Sequence, residues 1–194
     1  MLNIRRWWHR QGFGVQSPWA YDMIRNVLFE HLRYYALDEL RKRRREYTLH
    51  GECLRRHDDE QLFRLANALH PDYTMEAGIG SGLSLEYLRT ACGRAVIKTV
   101  EDGNSDSLSH LLTPGRHVDL LHIAFTADGE EIYDAVRNGH IGDTSAVVVD
   151  FANGRHRKLW ARITADEKAT AVFDMQCRGV AFFDSNRIKQ IYYV

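Results

Sequence analysis

Only 3 cysteines and 3 prolines occur in 194 residues, and neither sign of charge is in excess, with Lys+Arg 26 against Asp+Glu 26. Cys53, Cys92 and Cys177 are odd in number, far apart and outside any C-x-x-C pair. That spacing suggests neither a disulfide framework nor a zinc knuckle, and makes a reducing cytoplasm the expected compartment. A net charge of +0 provides no global field toward nucleic acid or an anionic membrane, so either partner would need a local patch. No stretch approaches the roughly 18 apolar residues of a membrane span, and Met1 to Arg10 lack the apolar core of a signal peptide. Internal repeats and Gly/Ser/Pro-rich linkers are absent as well. The ten histidines include no H-E-x-x-H, and no metal site is expected.

What is there fits one globular unit with a sizeable core, at 44% hydrophobic and 27% charged residues. Residues 1–57 are aromatic and basic and predict an N-terminal helical extension or lid. Residues 58–194 predict an α/β domain forming one compact unit with it. Ser17 caps and Pro18 opens a helix, and Tyr21, Ile24, Leu28 and Leu32 carry it to about Arg33 on one face. A second helix spans Ala36 to about Tyr47 and carries the basic run Arg41 to Arg45. A third spans Asp59 to Leu69, with Leu62, Leu65, Ala66 and Leu69 as its buried stripe.

From Asp72 onward, short apolar runs alternate with helical patterns, the signature of βαβ units and a largely parallel sheet. Strands are expected at Tyr73–Ala77, Ala95–Glu101, Val118–Phe125 and Ser145–Asp150. Helices are expected at Leu83–Cys92, Ser105–Leu112, Ala127–Asn138 and about Arg155–Ala165. Thr170–Asp174 and Gly179–Asp184 read as strands joined by a link of hairpin length, so one strand runs antiparallel.

The first strand leads into T-M-E-A-G-I-G-S-G-L-S, residues 74 to 84. Gly78-x-Gly80-x-Gly82 is neither the G-x-G-x-x-G of dinucleotide folds nor a P-loop, and Ile79 breaks the G-x-S-x-G of a nucleophile elbow. Glu76 argues further against phosphate, because a like charge at about 4 Å costs on the order of 1 to 4 kcal/mol. A ligand bearing a cation meets the reverse. S-adenosylmethionine carries an ammonium and a sulfonium, and its carboxylate suits loop and helix-terminal N–H groups. Glycines allow its close approach. Glu101, 25 positions beyond Glu76, stands where α/β nucleotide sites place a carboxylate on ribose hydroxyls, and Asp102 is the alternative. The competing reading is that the glycines only turn a strand into a helix.

On these residues the chain resembles class I S-adenosylmethionine-dependent methyltransferases. Within them it is similar to a bacterial O-methyltransferase-like group with an N-terminal G-x-G-V-x-S-P segment, here Gly12 to Pro18. Tyr34-Tyr35-Ala36, Asp38-Glu39-Leu40, Gly179 to Phe183 and Lys189 to Tyr192 extend the similarity. The resemblance implies a Rossmann-like fold with seven strands, the last of them antiparallel. It also implies that Glu76, Ala77, Gly78, Gly80, Ser81 and Gly82 line the methionine end of the cofactor while Glu101 holds the ribose. Where relatives end the fourth strand in Asp-Gly, this chain has Ala124-Phe125. Between Glu101 and Asp119 only 17 residues replace the relatives' full helix and strand. Either that βα unit is shortened to a helical turn or the sheet has lost an edge strand.

The implied function is methyl transfer to a small-molecule acceptor, O-methylation without a metal, since Asp150 with Phe151 and Asn153 is a poor hard-cation site. Asp150, His122 and His9 are the candidate bases. A catalytically degenerate binding protein of the same fold is the alternative. RNA methylation through Arg41 to Arg45 is a third reading, disfavoured by Asp38, Glu39 and Glu46 beside the run. Trp7, Trp8, Phe13 and Trp19 form either a lid or packing on the sheet. Ile191 to Val194 either finish a strand or bury against a second subunit, leaving a homodimer open.

Overall fold

The computed structural model describes residues 4–47, 55–101, 105–151 and 154–194. The helices are α1 (Ile4–Arg10), α2 (Pro18–Asp22), α3 (Tyr35–Tyr47), α4 (Arg56–Leu69), α5 (Leu83–Ala91), α6 (Ser105–Leu111), α7 (Gly129–Arg137) and α8 (Arg157–Ala165). The strands are β1 (Tyr73–Ala77), β2 (Val96–Val100), β3 (Leu120–Ile123), β4 (Ala146–Asp150), β5 (Ala171–Asp174), β6 (Arg178–Phe182) and β7 (Gln190–Tyr193). They form one seven-stranded sheet in the order β2-β1-β3-β4-β6-β5-β7.

This is an α/β Rossmann-like sheet, mostly parallel, with the antiparallel hairpin β5–β6 near its end. β6 opposes both β4 and β5, while β7 lies parallel to β5. The antiparallel strand is thus the sixth in sequence, which corrects the expected antiparallel last strand. Among the described residues, β2 forms one edge, and the short span after it supplies α6. Among the described residues no strand pairs beyond β2 on that edge, and β7 forms the opposite edge. Residues 191–193 therefore finish a strand.

β1, β3 and β4 are buried along their whole length, as strands covered on both faces must be. Alternation sends Met75, Ala77, Leu121, Ile123, Val147 and Val149 to one face, where α7 and α8 pack through Ile132, Val136, Leu159 and Ile163. Leu120, Ala146, Val148 and Val180 turn to the other face, against Leu62, Leu65 and Ala66 of α4. Ala20, Ile24 and Leu28 of the N-terminal extension enter that same core.

The extension departs from its sequence reading in one respect. Ser17 Oγ caps α2 as expected, accepting from Ala20 N at 3.3 Å. After Asp22 the helix widens into a π segment, Met23–Leu28, and Phe29 N closes onto Ile24 O at 2.9 Å. The wider turn ends the 3.6-residue periodicity, so Leu32 is 70% exposed instead of continuing the buried face to Arg33. Trp19 packs on Phe182 and Phe173 with ring centroids 5.1 and 6.0 Å apart, whereas Trp7, Trp8 and Phe13 remain about half exposed.

Candidate functional site

Period-2 alternation places Thr74 and Glu76 on the α4 side of β1, and parallel register sets Glu76 beside His122 on β3. On β4, Asp150 follows Val148 on that same face, and antiparallel register sets Arg178 of β6 opposite Asp150. Four charged side chains from four neighbouring strands therefore meet at the carboxyl edge of the parallel sheet, each at most 1% exposed.

They form one hydrogen-bonded chain. His122 Nδ1 donates to Glu76 Oε2 at 2.6 Å, and Nε2 donates to Asp150 Oδ2 at 3.0 Å. Arg178 grips Asp150 at two points, Nε to Oδ1 at 2.6 Å and Nη2 to Oδ2 at 3.0 Å. Its third nitrogen donates to the backbone carbonyl of Asp58 at the start of α4. Ser84 of α5 donates its hydroxyl to Glu76 Oε1. With both ring nitrogens donating, His122 is an imidazolium. Burial alone would lower its pKa, but Glu76 and Asp150 outweigh burial and raise it to about 9. Burial likewise opposes the charge of Asp150, yet Arg178 and His122 hold its carboxyl well below the usual range. Burial would also lower Arg178, but Asp150 keeps its pKa above the ordinary value.

The glycine loop lies directly over this row. Gly78 has φ +77° and a Cβ there would stand 2.6 Å from Ala127 N, so only glycine lets the loop approach the segment after β3. Thr126 fastens the approach by donating Oγ1 to Gly78 O at 3.0 Å. Gly82, at φ +80°, starts α5 in the left-handed region. Ser81 Oγ accepts from Leu83 N at 3.4 Å. Ala77 is buried beneath the loop, and its carbonyl accepts from Ala124 N at 2.9 Å.

Between Gly78–Ser84 and Ala124–Thr126, with Asp59 and Asp150 in the wall, lies a cavity of about 30 Å³. That is room for about one water, against the roughly 300 Å³ or more of ordinary ligand pockets. The loop's amides and the exposed Glu101 at the tip of β2 suit the carboxylate and ribose of S-adenosylmethionine. Glu76 does not stand free for its ammonium, because His122 already supplies the cation.

The structure thus brings Glu76, Ala77, Gly78, Gly80, Ser81, Gly82, His122 and Asp150 together. Glu101 ends the neighbouring strand, and Asp102 lies outside the described residues, as do Asn153 and Cys53. His9 is placed elsewhere, its Nδ1 donating to Tyr193 O at 3.0 Å on the far edge strand.

Two residues of the site escape the sequence reading. Arg178 has one signal, a lone arginine heading the apolar run G-V-A-F. Asp59 reads only as a helix-start acid, but it is buried, and Arg44 and Arg41 of α3 reach Asp59 and its buried neighbour Glu60. Burial lifts Asp59 to about 6 despite Arg178 and Arg44, the latter ion-paired to it. Arg41 holds Glu60 at 2.7 Å and Arg43 reaches Glu86 at 3.2 Å. Much of the basic run is therefore engaged by carboxylates of α4 and α5, beyond the neighbours read from sequence.

No family model matches the chain, and no curated protein matches it. Solved structures do. A methyltransferase from Geobacter sulfurreducens superposes with a TM-score of 0.53 at 12% identity, covering 79% of this chain and 92% of that one. The O-methyltransferase TomG from Streptomyces achromogenes, involved in tomaymycin synthesis and solved with SAM, gives 0.55 at 15% identity, covering 79% and 92%. The SAH-bound Podospora anserina methyltransferase PaMTH1 gives 0.51 at 13% identity, covering 79% and 90%. The fold is that of these methyltransferases. Among the described residues, no helix is long and apolar enough to cross a membrane.

Proposed function

We propose that the chain binds S-adenosylmethionine at the Gly78–Gly82 loop and methylates a hydroxyl of a small-molecule acceptor without a metal. The observation that carries this reading is the loop itself, three glycines with φ between +52° and +80° at the carboxyl end of β1. Ligands of α/β sheets sit at that edge. The fold shared with SAM- and SAH-bound enzymes supports it. When bound, the cofactor supplies an electrophilic methyl on its sulfonium. Loop amides would receive its carboxylate and Glu101 its ribose.

Asp150 is committed to Arg178 and His122 and does not take a proton near neutrality. Asp59, in the cavity wall with a pKa of about 6, is the carboxylate suited to accept the acceptor's proton. The ion pairs of Arg41, Arg43 and Arg44 favour a small acceptor over RNA. Titration with S-adenosylhomocysteine tests the binding step. Heat of binding at micromolar to millimolar ligand is expected, and none at millimolar would overturn the reading.

A second reading has its own observation. The chain Glu76–His122–Asp150–Arg178 neutralises the site from within and the cavity is small, which suits a methyltransferase fold retained for binding without turnover. S-adenosylhomocysteine binding with no labelled-methyl transfer across a broad hydroxyl-bearing panel would favour it. Robust transfer to any one acceptor would end it.

A further inference from the structure

On the other side of the start of α4 lies a second cavity, of about 400 Å³, enclosed by α1, the end of the π segment, the start of α4 and the β5–β6 turn. Arg6, Arg10 and Arg55 all line it. Two of these guanidinium groups are answered by carboxylates, Arg6 by Asp174 at 2.8 Å and Arg55 by Asp58 at 3.1 Å. Arg10 is not. Its Nε is buried and meets no hydrogen-bond acceptor among the described residues. Its guanidinium lies over the Phe29 ring, 5.0 Å from the centroid. Burial, then the like charges of Arg6 and Arg55, depress its pKa below the ordinary arginine value despite Asp58.

Asp58, Gln61 and Gln176 make part of the remaining wall polar, and Trp7, Phe29 and Met175 make the rest apolar. Phe29 and Trp7 line the cavity, and the ring of His57 lies 6.0 Å from that of Phe29. Burial, together with Arg64, Arg10 and Arg55, lowers the His57 pKa despite Asp58 and so disfavours further positive charge there. A half-buried cation without a paired carboxylate carries a desolvation cost that an anion from outside would offset. A guanidinium fork matches the two oxygens of a carboxylate or phosphate. The volume falls in the roughly 300–1,000 Å³ range of small-molecule sites.

We infer that this cavity binds a small organic anion, a carboxylate or phosphate on a flat apolar body, with the acid group on Arg10 and Arg55 and the body against Trp7 and Phe29. The site is separate from the glycine loop, and the inference does not rest on methyl transfer. A polar solute without charge fails to answer Arg10, and a bare anion leaves the aromatic walls uncovered.

Calorimetric titration of the full chain with phenyl phosphate, benzoate and benzyl alcohol tests it. At least one of the two anions is expected to bind, about tenfold or more tighter than the neutral alcohol, and the tighter of the two identifies the acid group. Arg10→Gln should weaken that binding about tenfold while leaving the thermal midpoint unchanged or higher, since it removes an unpaired charge. Arg55→Gln, at a largely exposed side chain, should weaken it too and serves if the first variant does not fold. Failure of both anions to bind at millimolar concentration would overturn the inference. Equal affinity for benzyl alcohol, or folded Arg10→Gln and Arg55→Gln variants that both bind as well as the parent, would overturn it as well.

Discussion

Glu76 and His122 face each other across parallel β1 and β3 at 2.6 Å, both fully buried. The acid that ends the first strand has an internal cation, and so the charge placed behind the glycine loop serves the fold before it serves any ligand.

This pairing makes stability fall with alkali. His122 has its pKa raised from 6.5 to about 9, so the folded state binds its proton more tightly than the unfolded chain. The contribution is complete below pH 6.5 and is lost as pH rises through about 9, roughly 3 kcal/mol in all. Asp59, raised from 3.8 to about 6, loses its own contribution in a lower window, below neutrality. Urea unfolding between pH 7 and 9.5 should show declining stability. His122→Asn should start less stable and remain flat over that range. An equal decline in both proteins would refute the assignment.

Arg178 is held against Asp150 and the Asp58 carbonyl in a site that excludes water. Arg178→Leu strands a buried carboxylate and should cost about 3–5 kcal/mol by chemical denaturation. Adding Asp150→Leu should recover part of that loss, because replacing both ions removes the uncompensated charge. A double variant less stable than Arg178→Leu would contradict a pairwise account.

Two glycines with nearly equal φ separate strain from crowding. At Gly78 (φ +77°) an added Cβ would stand 2.6 Å from Ala127 N, whereas at Gly154 (φ +81°) it would have nothing within 4 Å among the described residues. Gly154→Ala should cost only the left-handed penalty, about 1–2 kcal/mol. Gly78→Ala should cost distinctly more and abolish S-adenosylhomocysteine binding. Thermal melts and titration of both variants decide it, and equal losses would remove the case for a close approach at Gly78.

If Asp59 accepts the acceptor's proton, activity requires its ionised form. Methyl transfer should then rise with pH through about 6 and level off above it. Asp59→Asn should retain S-adenosylhomocysteine affinity while losing about a hundredfold or more in turnover. A pH profile through 6 that survives the substitution would assign the titration to another group.

The sequence alone determined what local physics controls. Alternation and helical periodicity placed β1, α4, α5, α7 and β4 to within a few residues, and the Gly78–Gly82 turn and the β5–β6 hairpin were legible from their own residues. The end of the N-terminal helix was not, because a π segment breaks the 3.6-residue count on which that reading depended. Tertiary structure decided the rest. His122 read as a lone histidine in an apolar strand, and Arg178 as one residue of a hairpin. Strand order and register put them in a single row with Glu76 and Asp150. Packing similarly buried Asp59 against Arg44 of α3 and gave it its place in the cavity wall. Both outcomes depend on contacts between residues tens of positions apart, which no local pattern encodes. The sequence put an acid behind a glycine loop; only the packed sheet determined which cation it meets.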